Sequence, residues 1–345
     1  MDEKKFISSR EIIWKRRKNA GTLVKSKNLW YNKEKTTVPV PFDKTESEKE
    51  RKEIMELSRI LKTVSKPGRY TGGELGQTVK DKKDIRCRWA FCFPDSYEIG
   101  MSNLGMKILY HTLNSVENVW CERCFMPNTD MIAQMKENNV LLYTLESKDS
   151  LKDFDFVAFS LSYELAYTNI LAMLDLAGIP LKAEERRIRR ENGEKLPIII
   201  AGGMCMCNPG PMEDFIDVFS IGEGEENLPR LMRLYTDESN KYGRMTAETV
   251  NAFFDESAKE EGTYVPCRKQ NLPVRMSKIK DFENSPFPDK FIVPFTEIVH
   301  DRAMIEIMRG CIRGCRFCQA GFLYRPFRQR SPEKLTEQAV ALCRN

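Results

Sequence analysis

Three cysteines stand close together near the end of this 345-residue chain. In the stretch RGCIRGCRFCQAG, three residues separate Cys311 from Cys315, and two residues separate Cys315 from Cys318. A disulfide joins only two thiols, and a structural zinc site usually takes four ligands in two spaced pairs. Three soft thiolates on a short loop suit an iron-sulfur cluster better, because the irons of such clusters prefer sulfur ligands. Three protein ligands would leave one iron of a four-iron cluster open to another ligand.

The cysteine spacing resembles C-x-x-x-C-x-aromatic-C, the signature of radical S-adenosylmethionine (SAM) enzymes, with Phe317 as the aromatic residue. The resemblance implies that Cys311, Cys315 and Cys318 hold a 4Fe-4S cluster, that the open iron chelates S-adenosylmethionine, and that Phe317 belongs to the cofactor site. It also implies that an electron from the cluster cleaves the sulfonium, and that the resulting 5'-deoxyadenosyl radical abstracts a hydrogen atom. The expected partners are S-adenosylmethionine, an electron donor such as flavodoxin or ferredoxin, and a substrate that the sequence does not identify.

The flanks of this loop predict one strand-helix unit of a β/α barrel. The stretch AMIEIMRG, residues 303–310, predicts a buried strand, and the following helix has Ser331 as its N-cap and Pro332 at its first position. Barrel enzymes place their chemistry on the loops after the strands, which is where these cysteines lie. A lone strand and helix cannot bury their apolar faces. We therefore expect a fragment truncated early in the radical domain, belonging to an enzyme and inactive alone.

Composition limits the classes of protein to which the chain can belong. It has 55 Lys and Arg against 50 Asp and Glu, and a net charge of +5 does not demand a nucleic-acid partner. The N-terminus is too charged for a signal peptide, and no apolar run approaches membrane-spanning length, so a cytoplasmic protein without a membrane partner is expected. Eleven cysteines in such a chain indicate thiols and metal ligands rather than disulfides.

Four regions are predicted along the chain. Residues 1–80 form a basic, partly disordered extension with one helix in ESEKERKEIMELSRILKTV. Residues 81–240 alternate strands and helices, which predicts a parallel sheet covered on both faces. Residues 241–301 are a helix and a connector, and residues 302–345 begin the barrel. The predicted fold class is α/β: a Rossmann-like parallel sheet domain followed by the first strand-helix unit of a partial (β/α) radical SAM barrel.

Loops after the predicted strands resemble those of the cobalamin-binding Rossmann-like domain. That family places D-x-H-x-x-G after its first strand, a serine motif after a central strand and Gly-Gly after the next. In this chain DSYEIG, SLS and IAGG follow in that order. Ligands of such sheets lie beyond the carboxyl ends of the strands. The resemblance therefore implies cofactor contacts from Asp95, Gly100, Ser160, Ser162, Gly202 and Gly203.

One position departs from the cobalamin motif. Tyr97 stands where the family has the histidine that ligates cobalt, and the only two histidines of the chain, His111 and His300, lie elsewhere. Tyr97 is a predicted cofactor-contact residue, but ligation of cobalt by histidine is not expected. Two alternatives stay open: cobalamin binds without an imidazole ligand, or the domain has lost the cofactor and kept the fold.

Other motifs support weaker predictions. The stretch GEGE, residues 222–225, resembles a segment that ends this domain in proteins joining cobalamin and radical domains, although a flexible acidic helix start is also consistent with it. The pair Cys121 and Cys124 has the spacing of half a metal site, but no second pair completes it. Cys205 and Cys207 follow the Gly-Gly, either near a ligand or as small residues of a tight loop.

Basic and aromatic residues leave further alternatives. The stretch 183–192, AEERRIRREN, is predicted to be a solvated insertion. Arg325, Arg328 and Arg330 follow the cysteine loop and would contact a nucleotide cofactor or a substrate phosphate, or else form surface salt bridges. The pair 30–31, Trp-Tyr, is predicted to contact the next domain, with RNA stacking as the alternative.

The leading predicted function is a radical SAM enzyme. Related architectures transfer a methyl group from cobalamin or rearrange their substrate, and the sequence does not choose between these outcomes. The alternative is a non-catalytic module that binds an iron-sulfur cluster or cobalamin as a sensor.

Overall fold

A computed structural model describes residues 48–270 and 272–344, with side chains from residue 55 onward. The chain divides into two compact units, Met1–Arg51 and Lys52–Asn345, and the features below belong to the second unit, apart from the first turn of helix α1. The predicted contacts of Trp30 and Tyr31 lie outside the described residues. Helix α1, Glu48–Leu61, confirms the helix predicted near the N-terminus.

A six-stranded sheet lies at the centre of the second unit. Its strands follow the order β2-β1-β3-β4-β5-β6, with β1 to β5 parallel and β6 antiparallel at one edge. The strands are β1 (Cys87–Phe93), β2 (Val119–Phe125), β3 (Phe156–Ser160), β4 (Ile198–Gly202), β5 (Val218–Ser220) and β6 (Thr263–Tyr264). Every residue of β1 and β2 is buried, as expected for a parallel sheet covered on both faces. The predicted α/β fold with a mostly parallel sheet is confirmed.

Helices connect these strands. They are α2 (Tyr97–Gly100), α3 (Leu104–Asn114), α4 (Thr129–Glu137), α5 (Tyr167–Leu176), α6 (Ala183–Glu191), α7 (Gly224–Tyr242) and α8 (Ala247–Ser257). Short 3-10 helices lie at Pro67–Arg69, Lys82–Asp84, Leu151–Asp153, Glu164–Ala166, Met204–Cys207 and Gly210–Met212. Among the helices of residues 48–270 and 272–344, none is both long and apolar enough to cross a membrane.

Alternate residues of the strands face two separate hydrophobic cores. Ala90 and Val157 belong to the core that α1, α4 and α5 cover. Trp89 and Phe156, one position earlier on the same strands, belong to the core that α3, α7 and α8 cover. The period of two residues in a strand produces this separation.

The order of strands reverses between β1 and β3. From β1 the chain places β2 on one side and then β3, β4 and β5 successively on the other. In open parallel sheets, ligands bind in the crevice outside the carboxyl ends of the strands at such a point. This edge of the sheet is therefore the expected ligand site.

The segment around the cysteines differs from the predicted barrel unit. The prediction of a buried strand over residues 303–310 is wrong. Within this stretch only Met308–Arg309 form a strand, β7, and the Ile307 and Met308 side chains are 57% and 56% exposed. β7 pairs antiparallel with β8 (Arg328–Gln329), so the cysteines lie in the loop of a two-stranded hairpin, which also carries α9 (Ala320–Leu323). Apolar composition predicts burial, but a strand buries its faces only where neighbouring elements cover them.

The helix that follows agrees with its prediction. Helix α10 spans Pro332–Arg344, and the Ser331 Oγ accepts a hydrogen bond from the Lys334 backbone N–H at 3.2 Å. Ser331 is therefore the N-cap, as its side chain and the following proline indicated.

The solvated insertion predicted at 183–192 is also wrong. This stretch forms α6, where Arg186 and Arg190 are buried and both pair with Asp217, immediately before β5, at 3.1 and 3.2 Å. Burial alone would raise the pKa of Asp217, but the two guanidiniums lower it below its usual range. Arginines four residues apart share one helix face, and that spacing was the available signal.

Candidate functional site

A cleft of about 360 Å³ opens at the carboxyl ends of the strands, where the strand order reverses. Its floor is the sheet face that α3 and α7 cover, and it includes Trp89 and Phe91 of β1, Ala158 of β3 and Ile200 of β4. The N-terminal ends of α3 and α7 form its walls. The cleft therefore has an apolar interior and an open end at the ligand-binding edge of the sheet.

Four of the predicted cofactor-contact residues line this cleft. They are Ser160, Ser162, Gly202 and Gly203. Ser160 and Gly202 end adjacent strands and lie opposite each other in the sheet. The φ of Gly203 is +103°, and a Cβ there would lie 2.2 Å from the backbone oxygen of Leu161, so only glycine fits this turn.

The other residues of the cobalamin-type motif lie away from the lining of this cleft. Tyr97 is 1% exposed, and its hydroxyl donates to Glu74 Oε1 at 2.8 Å. Burial and the nearby Glu74 carboxylate raise the pKa of Tyr97, which stays a neutral donor. A Cβ on Gly100 would lie 2.3 Å from the Phe125 ring, so this glycine serves close packing. Asp95 caps the turn after β1, where its Oδ1 accepts from the Ser96 N–H at 2.6 Å.

Tyr97 instead joins a buried ionic network that sequence reasoning missed. Arg123 of β2 donates to Glu74 Oε2 at 2.8 Å and to Glu146 Oε1 at 2.7 Å. Tyr110 of α3 also donates to Glu146, at 3.0 Å. We call Glu74, Arg123 and Glu146 the buried network. The arginine inside the stretch CERC was the available signal, because a buried strand rarely carries an arginine without a partner.

The stretch GEGE forms the turn between β5 and α7 at the mouth of the cleft. Gly222 has a φ of +109°, and a Cβ there would lie 2.2 Å from the Ser277 backbone oxygen. A Cβ on Gly224 would lie 3.1 Å from the Leu109 side chain. The two glycines thus allow the turn to approach the connector and α3 closely, and this places Glu223 and Glu225 in the cleft wall.

These two carboxylates hold the base of the cysteine hairpin. Arg309 of β7 donates to Glu225 Oε1 at 2.6 Å and lies 3.4 Å from Glu223. Arg328 of β8 donates to Glu223 Oε2 at 2.9 Å. We call Glu223, Glu225, Arg309 and Arg328 the rim cluster. It joins the GEGE turn of the sheet domain to both strands of the hairpin.

Electrostatics favour the charged forms of Glu223 and Arg309 in the rim cluster. Burial would raise the pKa of Glu223, but the hydrogen bond from Arg328 and the charge of Arg309 lower it below its usual range. Burial would lower the pKa of Arg309, but the hydrogen bond to Glu306 and the charge of Glu225 raise it. Partly buried charges of this kind persist because each has several hydrogen-bonding partners.

The connector supports the hairpin from the other side. The guanidinium groups of Arg309, Arg328 and Arg330 lie 5.2, 5.5 and 4.6 Å from the ring centroid of Phe282. Arg330 also donates to the Ser285 Oγ at 2.8 Å. Arg328 and Arg330, which follow the loop, therefore contact other residues of the protein. Arg325 lies over the Phe322 ring at 5.0 Å.

The three cysteines of the loop are free thiols. Cys311 and Cys318 are half-buried and Cys315 is exposed, and the Cys318 N–H donates to the Cys315 backbone oxygen at 3.1 Å in a tight turn. Phe317 is 93% exposed. Across residues 48–270 and 272–344, no three His, Cys, Asp or Glu side chains are gathered in a group that could hold a metal ion.

Backbone geometry explains how the loop turns at the cleft. Gly310 has a φ of +101°, and a Cβ there would lie 2.5 Å from the Tyr324 backbone oxygen. Gly314 also has a positive φ, of +63°. Arg309 and Tyr324, which flank the cysteine segment, both line the cleft. The cysteine loop therefore begins and ends at the mouth of the cleft.

Other cysteines serve packing or lie in tight turns. Cys121 and Cys124 are buried in β2, and burial raises the pKa of Cys121 well above its usual range. Cys205 and Cys207 lie in the 3-10 helix after the Gly-Gly, and burial raises the pKa of both thiols. A raised pKa keeps a thiol protonated, and protonated thiols are poor nucleophiles and poor metal ligands.

Comparisons with known proteins identify related sequences. Residues 105–266, a little under half of the chain, match a family model described as radical SAM proteins, N-terminal. An uncharacterized protein of Methanocaldococcus jannaschii is 26% identical over 256 residues, which cover 71% of this chain and 44% of that relative. No solved structure gives a significant match. The family match supports a radical SAM protein, and it covers the sheet domain from α3 to β6 rather than the cysteine loop.

Proposed function

We propose that this protein is a radical SAM enzyme and that Cys311, Cys315 and Cys318 hold a 4Fe-4S cluster at the mouth of the cleft. The observation that carries the proposal is the hairpin itself, which presents three free thiols beside a cleft at the ligand edge of the sheet. The family match, which lies outside the cysteine loop, supports the same class independently. When bound, the cluster would supply the electron that cleaves S-adenosylmethionine.

The donor set of the loop fits such a cluster. Three thiols within eight residues are soft ligands of the type that iron-sulfur clusters take. The side chains of Ile312 and Phe317 are exposed, so the loop is free to turn its thiols inward without disturbing the core. Positive φ at Gly310 and Gly314 provides the turns that such a loop requires.

Residues of the sheet domain would act by positioning. The rim cluster holds both strands of the hairpin, and the apolar floor of the cleft would exclude water from a bound substrate. We propose that a small donor protein, such as flavodoxin or ferredoxin, would supply the electron to the cluster. We place the reaction in the cytoplasm, where reducing conditions would keep the free thiols available.

Cobalamin-dependent methyl transfer or rearrangement is a more specific prediction than a radical SAM enzyme, and it stays a prediction. Ser160, Ser162, Gly202 and Gly203 support it by lining the cleft, whereas Tyr97 points its hydroxyl at Glu74. The residues present therefore do not fit a cobalamin whose cobalt is ligated from this motif. We assign no step of the reaction to cobalamin.

The cluster is tested by anaerobic reconstitution of the chain with iron and sulfide. We expect about four irons per chain in the unchanged protein. Replacing Cys311, Cys315 and Cys318 together by Ala should abolish iron binding, because it removes all protein ligands. The matched control is Cys343→Ala, which removes another exposed thiol of the same segment and should leave the iron content unchanged. Zinc without iron in anaerobically purified protein would contradict the proposal.

Turnover is tested separately. Incubation with S-adenosylmethionine and a strong reductant should release 5'-deoxyadenosine in the unchanged protein and not in the triple cysteine variant. A fully loaded cluster that never cleaves S-adenosylmethionine would favour the non-catalytic binding module instead.

A further inference from the structure

Trp89, a residue of the cleft lining, carries an unpaired hydrogen-bond donor. Trp89 is 0% exposed and lines the cleft, and its Nε1 has no hydrogen-bond partner within residues 48–270 and 272–344. A buried indole N–H normally finds an acceptor, because leaving this donor unpaired is unfavourable. Trp89 therefore lacks an acceptor that a bound molecule could provide.

The neighbouring strand shows that the fold pairs an indole where it can. Trp120 of β2 is also buried, and its Nε1 donates to the Thr78 backbone oxygen at 3.0 Å. Arg88 also has one unpaired buried nitrogen, Nε, but its other two nitrogens are hydrogen-bonded. Trp89 differs because Nε1 is the only polar atom of its side chain.

The surroundings of Trp89 restrict the chemistry of a ligand. Phe156 lies against the indole ring at a centroid distance of 4.6 Å, and Phe91 and Leu228 are among the apolar residues that line the same cleft. Charged groups are confined to the mouth, where Glu223, Glu225 and Glu306 surround Arg309. An anion at the floor would lose its hydration without gaining a cation as partner. A neutral group would not suffer this penalty.

We propose that the cleft binds a neutral, largely apolar group that carries one hydrogen-bond acceptor, and that this acceptor meets the Trp89 Nε1. A ring nitrogen or a carbonyl oxygen has the required chemistry. The polar remainder of the ligand would lie at the open end, near Ser160 and Ser162. This binding site goes beyond the proposed function, because it requires neither the cluster nor S-adenosylmethionine.

Two small probes of equal shape test the proposal. Toluene and 4-methylpyridine differ by one ring nitrogen, and both are neutral at mildly alkaline pH. The chain has four tryptophans, so the indole N–H resonances of labelled protein can be assigned by comparing the Trp89→Phe and Trp120→Phe variants. We expect 4-methylpyridine to shift the Trp89 N–H resonance downfield and toluene to leave it nearly unchanged.

Affinities measured in the same titrations give the size of the effect. The affinity ratio of 4-methylpyridine to toluene should be about threefold to tenfold higher in the unchanged protein than in Trp89→Phe, which is the range of one hydrogen bond. Trp120→Phe is the matched control, since it removes a buried indole whose N–H already has a partner, and it should keep the unchanged ratio.

The outcome does not depend on the stability of a variant. If Trp89→Phe fails to fold, the selective shift of the Trp89 resonance in the unchanged protein decides the question. Equal shifts by both probes, equal affinity ratios in the unchanged protein and Trp89→Phe, or no binding of 4-methylpyridine would overturn the proposal. None of these results depends on iron content, so this test and the cluster test fail separately.

Discussion

The buried network and the rim cluster both pair arginines with glutamates, but they do so in different surroundings. In the buried network, the side chains of Arg123, Glu74 and Glu146 are 2%, 0% and 0% exposed. In the rim cluster, the exposed fractions range from 6% for Glu225 to 17% for Arg328. The first joins Glu74 to β2, a buried strand at the edge of the sheet, and the second joins a surface hairpin to the mouth of a cleft. The difference indicates that the first is a permanent part of the fold, whereas the second is weak enough to open.

Disrupting the buried network should have the largest effect on stability. Arg123→Met removes the shared cation and leaves two carboxylates buried without it, which should lower the free energy of unfolding by about 3–5 kcal/mol. Urea unfolding measures this loss. Arg187→Met is the control, because Arg187 makes only exposed ion pairs and should change stability by less than about 0.5 kcal/mol. A similar small loss in both variants would contradict the distinction.

Disrupting the rim cluster should have a smaller and local effect. Glu223→Gln removes the charge that both hairpin arginines approach. We expect the free energy of opening of the hairpin, measured by hydrogen exchange, to fall by about 1–2 kcal/mol. Hydrogen exchange of backbone amides in residues 308–329 should accelerate while that of β1 does not. Glu337→Gln, which removes an exposed ion pair with Lys334 in the same segment, should leave both rates unchanged. Equal acceleration in hairpin and sheet would show that the cluster stabilises the whole fold.

Lowering the pH should gradually weaken the ion pairs of the rim cluster. Because the folded-state pKa of Glu223 is lowered, its contribution to stability is fully present above the unfolded-state pKa and is lost as the pH falls through the lowered value. Hydrogen exchange of residues 308–329, corrected for its intrinsic pH dependence, should therefore accelerate as the pH falls below the unfolded-state pKa of a glutamate, about 4.3. In Glu223→Gln this additional acceleration should be absent. Its persistence in that variant would assign the effect to another carboxyl group.

Tyr97 provides the test with the smallest expected effect. Its side chain belongs with the buried network and not with the cleft lining. If cobalamin binds, we expect no nitrogen hyperfine coupling from a protein imidazole in the unchanged chain, and none in Tyr97→His. Electron paramagnetic resonance of the reduced cofactor measures this. Coupling that is present only in Tyr97→His would show that position 97 reaches the cleft after all.

Local patterns predicted most of the sheet domain. The alternation of strands and helices over residues 81–240 was predictable, because buried parallel strands such as β1 and β4 are short apolar runs bounded by turn residues. The stretch CERC was not recognised as part of β2, since two charged residues interrupt the apolar run. Their burial depends on partners elsewhere in the sequence, such as Glu74, which lies 49 residues before Arg123.

The candidate site was predicted only in parts. The cysteine loop was identified from its own residues, whereas the Gly-Gly at the end of β4 and the GEGE stretch were identified by resemblance. The contacts that unite them were not predictable, because Arg309 and Arg328 meet carboxylates 84 and 105 residues earlier in the chain. The unpaired Nε1 of Trp89 was equally hidden, since a tryptophan within an apolar strand predicts only burial.

The pairing of β7 with β8 imposes an order on assembly. Arg309 and Arg328 lie directly opposite each other in the hairpin, and like charges at such positions oppose strand pairing. Glu306 pairs with Arg309 within the same segment, but Glu223, which both arginines approach, comes from the turn at the end of β5 and so depends on a folded sheet. The hairpin that carries the three thiols is therefore expected to close after the sheet has formed.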